Sequence, residues 1–102
     1  MEIIKTLKDK ELKIDLVGRL DTTTAPELEE LLKTELEKVE SLIFDLRELE
    51  YISSAGLRVL LSAQKAMVDK GSMKVLNVSD VVMEVFDITG FTDILTIENE
   101  TK

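Results

Sequence analysis

The chain alternates short apolar segments with amphipathic helical segments, and this alternation restricts it to a few folds. Leu12, Ile14 and Leu16 recur at every second position, which is typical of a strand with one solvent-facing side. Three helical patterns follow, each succeeded by another apolar segment. If sequential strands are neighbours and every crossover is right-handed, the helices fall on one face of the sheet. The sequence therefore predicts an α/β domain whose second sheet face is exposed.

The predicted elements follow the order β-β-α-β-α-β-α-β. Strands are expected at residues 3–7, from residue 12, and at 41–46, 73–78 and 94–97, with a turn at Asp9 and Lys10. Helices are expected from a capping box formed by Thr24 and Glu27, from about residue 54 to 70, and after a cap at Ser79. We thus expect one domain over residues 1–102, a mixed five-stranded sheet with helices mainly on one face, and a frayed tail at 98–102.

The residue types that are missing remove several kinds of chemistry. There is no His and no Cys among the 102 residues, so imidazole or thiolate metal sites, serine–histidine relays and disulfides are excluded. The net charge of −8 disfavours nucleic acid and anionic membrane surfaces. No stretch approaches the ~20 apolar residues of a membrane span. We expect a cytoplasmic, non-enzymatic protein that uses no metal or cofactor, does not insert into a membrane and acts through its surface.

Two polar loops lie at the predicted carboxyl ends of strands, where partner sites collect in α/β sheets. They cover residues 19–24 and 50–57, and a turn followed by a helix cap is the more common explanation of each. Gly56 costs about 1 kcal/mol of helix propensity relative to Ala, which indicates a close approach to its backbone. A serine at a helix N-terminus is also well placed to carry a phosphate.

Three segments of the chain resemble motifs of one bacterial family. Residues 18–25 resemble the G-x-L-D-x-x-T-A stretch of STAS domains, the anti-sigma-factor antagonists of bacteria. Residues 45–61 resemble that family's D-L … (D/S)-S-(S/T/A)-G-L-x-V-L-L signature, and residues 86–91 resemble its F-x-x-(S/T)-G-(L/F) segment. Because the three segments occur in the right order and span almost the whole chain, the resemblance is specific.

The resemblance implies a STAS-like fold and a regulator that changes partners. Such a protein would bind an anti-sigma factor, itself a serine kinase, and so release a sigma factor for transcription. The kinase would phosphorylate Ser54 and end the binding, and a PP2C-type phosphatase would remove the phosphate. By the same resemblance, the partner-binding residues would be Asp21, Thr24, Ser53, Ser54, Gly56 and Arg58. Ser53 stands where many members have Asp, and Arg58 where many have Gly.

Two other functions are compatible with the same residues. The first is a lone STAS subunit of a transporter or stressosome-like assembly, in which Ser54 serves only as a helix cap. The second is a small hydrolase or phosphotransferase that uses Ser54 and Asp21, although no His, Cys or adjacent Lys is present to activate the serine. A shared site requires an exposed Ser54 whose Cα lies within about 12 Å, one helix diameter, of the Asp21 Cα.

Overall fold

A two-stranded hairpin begins the sheet. In the computed structural model, which describes residues 1–99, β1 (Glu2–Lys8) and β2 (Glu11–Leu20) pair antiparallel. The turn at Asp9 and Lys10 is formed as predicted, and Asp9 has a φ of 58°. Asp enters this left-handed region more readily than most residues because its short polar side chain can hydrogen-bond locally.

The other strands run parallel to β2. β3 (Ser41–Asp45) lies beside β2, β5 (Ser72–Leu76) beside β3, and β6 (Ile97–Glu98) beside β5. A further strand, β4 (Leu49–Ile52), pairs with the carboxyl end of β2 beyond a register shift between Gly18 and Arg19. Within the described residues the sheet is therefore mixed and six-stranded.

The helices connect the parallel strands. α1 (Ala25–Glu35), extended by a 3-10 turn at Leu36–Lys38, joins β2 to β3, and α2 (Ser54–Val68) joins β4 to β5. α3 (Asp80–Thr89) joins β5 to β6 through a second 3-10 turn at Phe91–Asp93. The crossovers all step in the same direction across the sheet, so right-handed connections place the three helices on one face.

Alternation along the strands places the core between the sheet and the helices. Rows of buried side chains cross β2, β3 and β5 in register: Leu12, Leu42 and Met73 form one row, and Ile14, Phe44 and Val75 the next. The helices contribute buried residues to the same core, among them Leu28, Leu32, Leu60, Ala63, Val82 and Phe86. The intervening row of Lys13, Ile43 and Lys74 stays at least partly exposed, as expected for an open second face.

The structure corrects the sequence prediction in three places. Residues 49–52 form a sixth strand, which includes the first part of the loop predicted at 50–57, because β2 continues past Gly18, whose φ is 107°, to Leu20 and offers them an edge. The last strand lies at Ile97–Glu98 and not at 94–97, since the 3-10 turn delays the return to the sheet. Glu98 pairs with Leu76, so fraying from residue 98 is wrong there; residues 100–102 lie outside the described residues.

Candidate functional site

The two polar loops meet because β2 and β4 are neighbours. Leu20 is paired with Ile52, and the backbone N–H of Ser53 donates to the Leu20 carbonyl at 2.9 Å. Asp21 and Ser53 each follow one of the paired residues, so the Asp21 loop and the start of α2 lie side by side, as expected from the sequence. We refer to this surface as the rim; it comprises Arg19, Asp21, Tyr51, Ser53, Ser54 and Arg58.

Ser53, and not Ser54, is the N-cap of α2. Its backbone is extended, with φ −97° and ψ 177°, and its Oγ accepts the N–H of Gly56 at 3.4 Å. Ser54 is already helical and is exposed, and its hydroxyl has no hydrogen-bond partner within residues 1–99. Placing the cap at Ser54 was therefore wrong by one residue, because a cap oxygen reaches the first helical amides only from a non-helical backbone.

Gly56 lies buried beneath the rim. A Cβ atom at this position would stand 2.7 Å from Cγ of Leu20 and 2.8 Å from Cγ1 of Ile52. The absence of a side chain thus allows α2 to pack directly on the ends of β2 and β4. The close approach inferred from the sequence is real, but core side chains make it. Gly56 is buried and shapes the rim from below, and its assignment to partner contact stays a prediction.

Asp21 is held by the loop that contains it. Its Oδ1 accepts the Thr23 hydroxyl at 2.8 Å and the backbone N–H groups of Thr23 and Thr24 at 3.0 and 3.2 Å. These hydrogen bonds, above all the one from the Thr23 hydroxyl, hold the pKa of Asp21 below its usual value. The rim therefore carries a fixed, partly exposed negative charge at neutral pH.

The Thr24 side chain stabilises the Asp21 loop by hydrogen bonds and does not cap α1. Its Oγ1 accepts the backbone N–H of Asp21 at 2.8 Å and donates to the carbonyl of Arg19 at 2.9 Å. The predicted capping box with Glu27 is therefore wrong. The reason is that Thr24 has helical backbone angles, φ −101° and ψ −22°, which turn its hydroxyl back toward the loop. Its half-buried side chain positions Asp21.

A cation–aromatic pair on the rim was not anticipated. Arg19 lies opposite Tyr51 in the β2–β4 register, and its guanidinium carbon is 4.5 Å from the centre of the tyrosine ring. The Nε of Arg19 also lies 3.9 Å from Oδ2 of Asp21. Tyr51 remains 36% exposed. The only signal in the sequence is the adjacent Tyr51 and Ile52, which favour a strand but do not indicate that β2 is its partner.

Arg58 completes the rim on the side of α2. It is exposed and lies one helical turn after Ser54, so the two side chains occupy neighbouring positions on the helix surface. A groove of about 280 Å³ separates the first turns of α1 and α2, and Thr22, Pro26, Ala55 and Arg58 are among its lining residues. Arg58 can therefore reach a group attached to Ser54 without any change in the backbone.

The chemistry of the rim is that of polar and charged surface groups. It presents hydroxyls, one carboxylate, two guanidinium groups and one exposed aromatic ring. In the described part of the chain, no three acidic residues are placed so that they could hold a metal ion. Over the same residues, no helix combines the length and the apolar composition needed to cross a membrane.

Comparison with known proteins gives a consistent set of relatives. The family model of the STAS domain matches residues 2–102. An anti-sigma-B factor antagonist of Bacillus subtilis (strain 168) is 33% identical over 96 residues, covering 92% of this chain and 87% of that protein. The protein of the same name from Listeria monocytogenes is 35% identical over 98 residues, covering 94% of this chain and 86% of its own.

Solved structures share the whole arrangement of strands and helices. The anti-sigma factor antagonist SpoIIAA in its unphosphorylated form superimposes with a TM-score of 0.86 at 20% identity, covering 99% of this chain and 90% of that one. The phosphorylated form of the Bacillus cell fate determinant SpoIIAA gives a TM-score of 0.79 at 19% identity, with 99% and 93% covered. At these identities the likeness concerns the fold alone.

The division between the two serines predicts unequal effects on stability. Ser53→Ala removes the cap and is expected to lower the free energy of unfolding by about 1 kcal/mol. Ser54→Ala removes an exposed hydroxyl and is expected to change it by less than about 0.5 kcal/mol. Urea denaturation followed by circular dichroism measures both values. A larger loss for Ser54→Ala than for Ser53→Ala would contradict the assignment of the cap.

The loop hydrogen bonds predict a measurable effect on the titration of Asp21. Thr23→Val removes the hydroxyl donor and is expected to raise the pKa of Asp21 toward its usual value. Because the folded-state pKa is depressed, these bonds stabilise the fold at neutral pH, and this contribution is lost as the pH falls below about 4 and passes through the folded-state pKa. Carboxyl ¹³C NMR follows the titration directly. Thr22→Val, which alters an exposed neighbour, serves as the control, and equal pKa values in the two variants would refute the role of Thr23.

Proposed function

Because this chain belongs to the STAS domain family, we propose that it is an anti-sigma-factor antagonist whose partner binding is switched by phosphorylation at the rim. It binds an anti-sigma factor that is itself a serine kinase, and a sigma factor is thereby released for transcription in the cytoplasm. Two relatives named as anti-sigma-B factor antagonists, matched over 87% and 86% of their own lengths, support this role. The family expected from the three sequence motifs is the one whose model matches residues 2–102.

The observation that carries the proposal is the state of the Ser54 side chain. It is exposed at the first position of α2, and within residues 1–99 its hydroxyl is not engaged in a hydrogen bond. A kinase can therefore receive this hydroxyl without breaking the helix cap. The neighbouring Ser53 is less suitable, because its Oγ already accepts the N–H of Gly56.

Neither phosphorylation nor its reversal needs a catalytic group from this chain. The Ser54 Oγ attacks the γ-phosphorus of ATP held by the kinase, the bond to ADP breaks, and the hydroxyl proton passes to a base of the kinase. A PP2C-type phosphatase reverses the change by hydrolysis: water supplies the new bond to phosphorus, inorganic phosphate leaves, and the serine hydroxyl is restored. The catalytic groups of both steps belong to the partners, and this chain supplies only the accepting hydroxyl.

Charge explains why a phosphate at Ser54 changes binding more than folding. The group adds about −1.5 to −2 charge at a helix N-terminus, where the helix dipole stabilises it by roughly 0.3 to 1 kcal/mol. Arg58, one turn away, offers a further favourable partner, which offsets the nearby carboxylate of Asp21. In a docked interface the same charge must be desolvated, and a loss of ~3 kcal/mol weakens binding more than 100-fold. The fold is therefore retained while the complex dissociates.

Substitutions at Ser54 test this switch. Ser54→Asp is expected to fold normally and to bind the anti-sigma factor at least about 10-fold more weakly, a change of ~1.4 kcal/mol. Because Asp carries less charge than a phosphate, its effect is smaller than that of phosphorylation. Ser54→Ala is expected to bind like the wild type and to accept no phosphate from the kinase. Isothermal titration calorimetry gives the affinities, and phosphopeptide mapping gives the modified residue.

A matched control separates a local effect from a change in net charge. Ser72 is an exposed serine at the start of β5, at the opposite end of the strands from the rim. Ser72→Asp adds the same charge and is expected to leave the affinity unchanged. Equal affinities for the wild type and both Ser54 variants, with no labelling of the wild-type protein, would reject the switch and favour an assembly subunit in which Ser54 is not modified.

A further inference from the structure

β1 is an exposed edge of the sheet. Of its residues only Ile3 is partly buried, while Ile4 and Leu7 are 42% and 50% exposed. One side of β1 pairs with β2, and no other strand of the described residues pairs with its other side. Such an edge offers unpaired backbone N–H and C=O groups to a second chain.

The hairpin determines which backbone groups point outward. Lys8 and Glu11 flank a two-residue turn, so they form a hydrogen-bonded pair. Pair types alternate along an antiparallel ladder, and this ladder runs without a register shift to the pair of Glu2 with Val17. The even-numbered residues of β1 therefore direct their N–H and C=O groups to β2. The odd-numbered residues, Ile3, Lys5 and Leu7, direct theirs away from the sheet.

One antiparallel register about a twofold axis uses all of these outward groups. It places Lys5 opposite Lys5 of a second copy and Ile3 opposite Leu7, and each pair exchanges both of its backbone hydrogen bonds. The same register places Glu2 opposite Lys8, so an attractive charge pair forms at each end of the paired strands. Shifting the register by one hydrogen-bonded pair leaves an outward residue unpaired and separates these charges.

The central lysines do not oppose this arrangement, because each is already neutralised within its own copy. Nζ of Lys5 lies 2.8 Å from Oε2 of Glu35 on α1, and this contact holds the pKa of Glu35 below its usual value. The side chain is thereby drawn over α1. Lysine side chains on an exposed edge strand commonly hinder its pairing with another chain. Because Glu35 holds the Lys5 side chain, the middle of β1 lacks this protection.

Apolar contacts favour the same register. Leu7 of one copy meets Ile3 of the other on the side of the sheet that carries the helices, because both residues are paired with buried positions of β2. Ile4 meets Thr6 on the open side. We infer that β1 is a self-association surface, through which two copies of this chain form one continuous sheet centred on Lys5. This inference does not depend on the proposed function.

The expected dimer is weak and leaves the rim accessible. A contact between single edge strands buries little area, which is typical of transient association. Glu2 lies beside Val17, toward the rim end of β2, and Lys8 lies at the hairpin end. Antiparallel pairing therefore places the two rims at opposite ends of the joined sheet, where each can bind a partner.

Charge-reversal variants test the register. Sedimentation velocity of the wild type between about 10 μM and about 1 mM is expected to show a shift from one copy toward two. Glu2→Lys and Lys8→Glu each bring like charges together in a homodimer, and each variant is expected to self-associate at least about 10-fold more weakly. Mixing the two variants restores both attractive pairs, so a heterodimer with at least the wild-type affinity is expected.

Two further variants keep the test decisive. Leu7→Pro deletes an outward N–H without removing a β1–β2 hydrogen bond, and it is expected to abolish the dimer while circular dichroism stays unchanged. Glu30→Lys makes the same charge change as Glu2→Lys on the exposed face of α1 and is expected to dimerise like the wild type. A wild type that is monomeric at about 1 mM, or charge variants that self-associate like the wild type and gain nothing on mixing, would overturn the inference.

Discussion

The pairing of β4 with the end of β2 is the interaction on which the rim depends. The hydrogen bond from Ser53 to Leu20 joins the two loops, and the missing side chain of Gly56 allows α2 to begin directly above that bond. Without this pairing, Arg19 would not lie on Tyr51, and the Asp21 loop would have no fixed relation to α2. A contact of a few residues thus converts two ordinary strand–helix connections into one surface.

Adjacent serines divide two roles that one serine cannot perform together. Ser53 supplies the oxygen that stabilises the helix start, which leaves the Ser54 hydroxyl free at the surface. The N-terminus of α3 shows the contrast, because Ser79 accepts the N–H of Val82 and also donates to the Leu49 carbonyl. A phosphate on Ser79 would break those two hydrogen bonds, whereas a phosphate on Ser54 would break no side-chain hydrogen bond within residues 1–99. Reversible modification without loss of the fold is therefore easiest at Ser54.

Local patterns were sufficient to predict much of the fold, and long-range packing explains what they missed. The alternation at Leu12, Ile14 and Leu16 and the helical spacing of the later segments depend on near neighbours, so they predicted the buried sheet face and the three helices. β4 forms by pairing with the end of β2, which is distant in the sequence, and residues 49–52 alone do not indicate that partner. The cap of α2 is Ser53 and not Ser54, and the Thr24 hydroxyl bonds to the Asp21 loop and does not cap α1. Neither could be predicted locally, because the backbone angles at these positions follow from tertiary contacts.

We propose that the rim is the face that meets the anti-sigma factor, and that β1 and the open face of the sheet take no part in this contact. Amide NMR spectra of the ¹⁵N-labelled chain, recorded while the unlabelled anti-sigma factor is added, test the claim residue by residue. We expect the largest changes at Arg19, Asp21, Tyr51, Ser54 and Arg58, with the open face of the sheet and β1 little affected. Changes concentrated on that open face or on β1, with the rim signals unmoved, would contradict it.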